Sequence, residues 1–153
     1  WLARGAVPAR AEGPVCQHDA RGTKATLERL AGLGHRALAV EMTAVWRRAA
    51  ELMLRGDYYP LTPCRKSAED YYAMQFDDRS RRDGFLQVVR NSQCAADSLT
   101  LYPAAEPGYV YSFHNPENGD SFQRDAEQLR AGLTVRLPRR TGAVWFYTAA
   151  RRQ

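Results

Sequence analysis

GDYYPLTPCRKSAEDYYAMQFDDRSRRDGFLQVVR, residues 56–90, holds the turning point of the chain. It opens on Gly56, which follows an amphipathic helical pattern and suits the left-handed residue that ends helices. Three extended pieces follow, YYPLT, YYAMQFD and GFLQVVR, with polar loops between them. In the second, Tyr72, Met74 and Phe76 alternate with Tyr71, Ala73, Gln75 and Asp77; in the third, Phe85, Gln87 and Val89 alternate with Leu86, Val88 and Arg90. A period of two is the signature of strands with two unlike faces. A helix, a sharp exit and then antiparallel strands mark a junction between two architectures.

Upstream, the spacing predicts a helix over about Arg36 to Arg55. Leu38, Met42, Val45, Ala49, Leu52 and Met53 share one face with Trp46 beside them, while Arg47, Arg48, Glu51 and Arg55 lie on or near the other. So wide an apolar stripe needs a large partner surface, either the strands that follow or a further domain. Leu27, Leu30 and Leu33 suggest a shorter helical piece beginning near Thr23, and residues 1–22, rich in Ala, Gly, Pro and Arg, read as an irregular arm. Downstream, strands are expected at Ser98–Tyr102, Tyr109–His114, near Phe122, at Leu133–Leu137 and at Ala143–Thr148, with a helical turn or two in Arg124–Ala131. Turn signals stand at Asp83-Gly84, Pro107-Gly108, Pro116-Glu117-Asn118-Gly119, Gly132 and Thr141-Gly142. The fold class is mainly β: an antiparallel β-sandwich of about seven or eight strands, preceded by one or two α-helices. The expected division is an arm over 1–22, a helical segment over 23–56 and the sandwich over 57–150.

The 153 residues are 44% hydrophobic and 25% charged, an ordinary balance for a soluble globular domain. No apolar run approaches the ~18 residues that span a bilayer, so no membrane partner is expected. A net charge of +5 raises the question of nucleic acid. The basic residues are almost all arginine, with only Lys24 and Lys66 as lysines, and they fall in scattered pairs such as Arg47-Arg48 and Arg151-Arg152. Scattered pairs do not build the concentrated stripe that phosphates need, so nucleic acid is not an expected partner. Cys16, Cys64 and Cys94 are odd in number and far apart, unlike zinc ligands or a disulfide framework, which fits free thiols and a cytoplasmic location.

Chemistry is sparse. No nucleophile elbow, glycine-rich phosphate loop, dinucleotide fingerprint or H-E-x-x-H occurs. His18, His35 and His114 stand in unrelated contexts. Asp57, Glu69, Asp70, Asp77 and Asp78 cluster near the junction, but adjacent strand residues face opposite ways, so Asp77 and Asp78 cannot pair across a sugar. No catalytic, cofactor-binding or metal residue is therefore assigned. The tyrosines suit either packing or stacking on sugar rings. Core or interdomain packing is the reading preferred, and Tyr71, Tyr109 and Tyr111 are the candidates for stacking on a glycan.

The order of the pieces has a counterpart. Gly56-Asp57-Tyr58-Tyr59-Pro60-Leu61-Thr62-Pro63, then Met74-Gln75-Phe76-Asp77 within a strand, then Gly84-Phe85-Leu86-Gln87-Val88-Val89-Arg90 resemble the C-terminal region of glycoside hydrolase family 36 α-galactosidases. The later YVYSFHNPENGDSF, DAEQLRAGLTVRLP and AVWFY follow the closing elements of the same region. The resemblance covers about residues 36–148, a last barrel helix plus a β-sandwich domain. It implies a parent enzyme that hydrolyses terminal α-galactosides with retention, without metal or organic cofactor. The catalytic aspartates of such a parent lie in barrel motifs absent here, so the chain alone is expected to be inactive. The partner implied is the catalytic β/α barrel, which by itself takes about 250 residues, with α-galactoside glycans as further ligands. The alternative is a free-standing carbohydrate-binding or structural β-sandwich module.

Overall fold

The computed structural model describes residues 36–63 and 67–152. The arm expected over 1–22, the helical onset near Thr23, Cys16, Cys64, His18 and His35 lie outside the described residues. Helix α1 (Arg36–Arg55) leads into strands β1 (Asp57–Pro60), β2 (Tyr71–Asp78), β3 (Asp83–Arg90), β4 (Leu99–Leu101), β5 (Tyr109–His114) and β6 (Ser121–Asp125). Helix α2 (Ala126–Ala131) and strands β7 (Leu133–Val135) and β8 (Thr141–Arg151) complete the chain. Each of the eight expected strands forms.

Six strands make one antiparallel sheet in the order β1-β2-β3-β8-β5-β6, and β4 and β7 pair separately. The sandwich is thus uneven: a broad sheet lies on one side, a two-stranded ribbon and a short helix on the other. β8 is the hub. It pairs with β3 through Thr141–Thr148 and with β5 through Phe146–Arg151, so its eleven residues join the N-terminal strands to the later hairpin.

Alternation sorts the side chains onto the two faces of the sheet. On the inner face Tyr71, Ala73, Leu86, Val88, Trp145, Tyr147, Tyr111 and Phe113 pack against Leu101, Leu133 and Val135 of the ribbon and Ala126 and Leu129 of α2. Asp125 caps α2: its carboxylate accepts from the Gln128 backbone N–H at 2.8 Å, while the Gln128 side chain accepts from the Asp125 N–H at 3.0 Å. That reciprocal capping box lets six residues hold a helix.

On the outer face, register aligns Tyr58, Phe76, Phe85 and Phe146 across four strands. Their ring centroids lie 5.2, 5.3 and 5.9 Å apart in turn. Leu52 of α1 is buried on this row with Phe85 and Phe146, flanked by Val45 and Ala49. Residues 45, 48, 49, 52 and 55 fall on one line of a 3.6-residue helix, so Arg48 and Arg55 face the sheet too. Arg48 lays its guanidinium 4.2 Å from the Phe146 ring centre, and Arg55 reaches the sheet's end. Met53, expected on the packed face, is 43% exposed. The seven-residue count from Trp46 to Met53 puts both on a separate outward stripe.

Two glycines expected in turns stand inside strands instead. The β2–β3 turn is Arg79–Arg82, with Arg82 in the left-handed conformation at φ 59°, and Asp83 and Gly84 already belong to β3. Gly84 serves clearance: a Cβ there would sit 2.3 Å from the Tyr147 hydroxyl and 2.4 Å from the Phe76 carbonyl oxygen. Gly142 likewise lies within β8, opposite Val89.

Gly84→Ala should lower stability by about 2–3 kcal/mol, the upper range of core overpacking. Urea unfolding would show it as a reduced midpoint at unchanged m value; a variant as stable as wild type would mean that Tyr147 does not need the space.

Candidate functional site

The three candidate tyrosines part company in the structure. Tyr71 and Tyr111 are core residues, 6% and 4% exposed, and rings so covered offer no face to a sugar. Tyr109 is half-buried, and the Arg82 guanidinium lies 4.3 Å over its ring. Tyr71 pairs with Arg90 at one end of the sheet, whereas Tyr109 pairs with Arg151 at the other. Packing is what Tyr71 and Tyr111 do. Arg90, also at a strand end, is buried and spans loops: it donates to the Leu137 carbonyl at 2.8 Å, the Cys94 carbonyl at 3.1 Å and Asp97 at 3.1 Å.

Apart from Tyr102, which follows β4 and is 64% exposed, the large exposed apolar side chains among the described residues lie on α1 and β1. Trp46, Met53 and Leu54 of α1 are 46%, 43% and 89% exposed, and Tyr58 of the edge strand β1 is 48% exposed. Sheet packing accounts for the Val45–Ala49–Leu52 line of α1 but not for this second stripe. Periodicity alone merged the two, because Trp46 and Met53 sit beside the packed line in the sequence wheel.

The helix carrying that stripe is fixed to the sheet at its C-terminus. The Gly56 N–H donates to the Leu52 carbonyl at 2.8 Å, closing the helix, but Gly56 does not take the left-handed conformation expected of it. It gives clearance instead, since a Cβ there would sit 2.9 Å from the Leu52 carbonyl oxygen and 3.2 Å from that of Asp77. Arg55 then extends its Nε to Asp78 Oδ2 at 2.6 Å and its Nη2 to Asp83 Oδ2 at 3.1 Å. Asp78 and Asp83 are the register pair that closes the β2–β3 hairpin, so one guanidinium clamps both strands. The other Asp78 oxygen accepts from the Ser80 hydroxyl at 2.6 Å and from the backbone N–H groups of Ser80 and Arg81 at 3.0 and 3.2 Å. The Ser80 hydroxyl, Arg55 and the two N–H groups together hold this carboxyl down at about 2.

Asp77 points the other way and behaves oppositely. Its Oδ1 accepts from the Tyr147 hydroxyl at 2.7 Å, and burial raises its proton affinity against the opposing pull of that bond. Tyr147 also receives a hydrogen bond from the Gln75 amide at 2.9 Å, and its phenol is pushed up by burial. Gln75 in turn exchanges two hydrogen bonds with the Ala104 backbone, at 2.8 and 3.0 Å. This polar cluster opens on a cavity of about 200 Å³ lined by Asp77, Arg79, Arg82, Glu106, Tyr111 and Arg130. A second, more open hollow of about 380 Å³ lies between Arg48 and the outer faces of β5 and β6, where His114 Nδ1 and Ser121 Oγ are 3.0 Å apart.

Among the described residues no group of three His, Cys, Asp or Glu side chains is placed to hold a metal ion, and no helix is long and apolar enough to cross a membrane. Cys94 is a buried free thiol. Asp77 and Asp78 diverge to opposite faces, as adjacent strand residues must.

Neither a family model nor a curated relative matches the sequence. Solved structures do. The galactosidase domain of the α-galactosidase–sucrose kinase AgaSK superposes with a TM-score of 0.59 at 14% identity, over 76% of this chain and 16% of that one. Two variants of the glycoside hydrolase family 36 α-galactosidase AgaA from Geobacillus stearothermophilus match over the same shares. The one in complex with raffinose gives a TM-score of 0.56 at 15% identity, and the one in complex with 1-deoxygalactonojirimycin 0.57 at 14%. The chain shares its fold with part of these enzymes and spans about a sixth of their length.

The Asp78 clamp predicts an acid-dependent loss of stability. Its folded value, about 2, lies below the ordinary 3.8, so its contribution is complete above 3.8 and is lost as pH falls toward 2. Thermal unfolding between pH 4 and 2 should be less steeply pH-dependent in Asp78→Asn than in wild type, and the variant should be the less stable at neutral pH. Equal slopes would remove Asp78 from the acid response.

Proposed function

We propose that this chain is the non-catalytic C-terminal domain of an α-galactosidase-like glycoside hydrolase, where it packs on the catalytic barrel and stabilises it. The parent hydrolyses terminal α-galactosides with retention, and its catalytic carboxylates come from the barrel. The observation that carries this reading is the outward stripe of α1. Trp46, Met53 and Leu54 share a helix whose other face is already packed on the sheet, so their exposure is not a failure of the β-domain to cover them. At roughly 25 cal/mol for each Å² of apolar surface removed from water, covering a Trp, a Met and a Leu on one stripe gives several kcal/mol of association. The shared fold and the 16% share of the α-galactosidases' length support a partner of that size.

In this reading Arg55 is the element that transmits rigidity. It joins the helix that meets the barrel to the hairpin end of the sheet through Asp78 and Asp83. The aromatic row beneath α1 then resists tilting of the helix, because Leu52 is wedged between Phe85 and Phe146.

Native size is the first test. An immunoblot of source cells with antibody against residues 58–148 should give a band of roughly 45 kDa or more, this chain plus a barrel of about 250 residues. A band at the chain's own 17.3 kDa would overturn the proposal. In the full-length enzyme Leu54→Glu should lower the thermal midpoint, while the isolated chain's unfolding free energy stays within about 0.5 kcal/mol of wild type, the usual range for surface substitutions. The purified chain should not turn over a chromogenic α-galactoside; turnover abolished by Asp77→Asn would place chemistry in this domain after all.

A further inference from the structure

We propose that the cavity lined by Asp77 and Tyr111 is a binding site for a small neutral polyol, a hydroxyl-rich molecule no larger than one sugar ring. This site is distinct from the packing surface on α1, and the proposal does not rest on it.

Two unspent hydrogen-bonding capacities face the cavity. Asp77 is 13% exposed, and only its Oδ1 is engaged, by Tyr147. Its Oδ2 has Arg79 Nε at 3.7 Å, too long for a hydrogen bond, and no closer donor among the described residues. The Tyr111 hydroxyl accepts from the Glu106 N–H at 2.7 Å, and its own proton finds no acceptor among the described residues. An acceptor and a donor on one wall are what a ligand hydroxyl needs, since it can give its proton to the carboxylate and accept one from the phenol. Neither atom is a buried unsatisfied one, so both are reachable from the cavity, where a ligand hydroxyl completes them in place of water.

The charge pattern selects a neutral ligand. Arg79, Arg82 and Arg130 oppose a cation, while Asp77 on the wall opposes an anion at short range and low dielectric. The arginines are also partly committed: Arg82 is paired with Glu106, Arg79 donates to the Tyr59 hydroxyl at 2.7 Å, and Arg130 donates to the Ala105 carbonyl at 2.9 Å. Their remaining N–H groups can still donate to hydroxyl oxygens. Volume sets the size. About 200 Å³ is an order of magnitude beyond the roughly 10–15 Å³ that holds one water, and below the ~300 Å³ where drug-sized pockets begin. The aromatic residue on the wall, Tyr111, is only 4% exposed and offers its hydroxyl rather than a ring face, so recognition falls to hydrogen bonds and affinity is modest.

Ligand-detected NMR on the full 153-residue chain, titrated with galactose, glucose and myo-inositol, tests this. At least one neutral probe should bind saturably with a Kd of roughly 1–10 mM. Tyr111→Phe, which also gives up the bond from the Glu106 N–H, and Asp77→Asn, which replaces the free carboxylate oxygen, both keep shape and should weaken it about tenfold. Arg79→Gln, on an exposed side chain, gives a second reading should either core variant fail to fold. Absence of saturable binding by all three probes, tighter binding of sulfate than of any of them, or unchanged affinity in the folded variants would overturn the proposal.

Discussion

Tyr147 lies across Gly84, and much of the molecule is arranged around that passage. The phenol crosses from β8 over β3 to reach Asp77 and Gln75 on β2, which is sterically allowed only because residue 84 carries no side chain. Gln75 extends the connection to the Ala104 backbone in the segment between β4 and β5. One side chain thereby ties three adjacent strands to the loop that closes the inner layer. The same crossing shapes the nearby cavity, since it occupies one Asp77 oxygen and leaves the other facing open space. Satisfied buried networks of this kind rigidify a core because each partner becomes costly to withdraw.

The two carboxylates at the end of β2 show how little separates opposite environments. Asp77 and Asp78 are neighbours in sequence, yet burial raises the first and a hydroxyl, a guanidinium and two N–H groups lower the second. Strand geometry is the cause: consecutive side chains point to opposite faces, one into the inner layer and one toward α1. A chain that places its acids this way separates a structural clamp from a recessed polar group within two residues.

Helix α1 has two working faces. Its packed line fills the aromatic row of the sheet; Arg48 sets its guanidinium over the Phe146 ring, and Arg55 carries its charge to the carboxylates at the sheet's end. Its outward stripe remains apolar and exposed.

Local residue patterns were enough to specify the architecture's parts. Period-two alternation located all eight strands, helical spacing and Gly56 bounded α1, and the motif order pointed to the fold that the α-galactosidase structures share. Those signals are local, carried by residues within a few positions of one another. Tertiary structure alone decided the rest. It showed that Asp83-Gly84 is clearance and not a turn, that Arg48 and Arg55 face inward while Met53 faces out, and that Tyr71 and Tyr111 are core rather than exposed rings. It also brought Asp77, Tyr111 and Glu106 to one cavity from separate segments. The physical reason is that a side chain's role depends on what lies across from it. Pattern gives the face a residue takes within its own element, and only strand register and packing reveal which partner occupies the space beyond it.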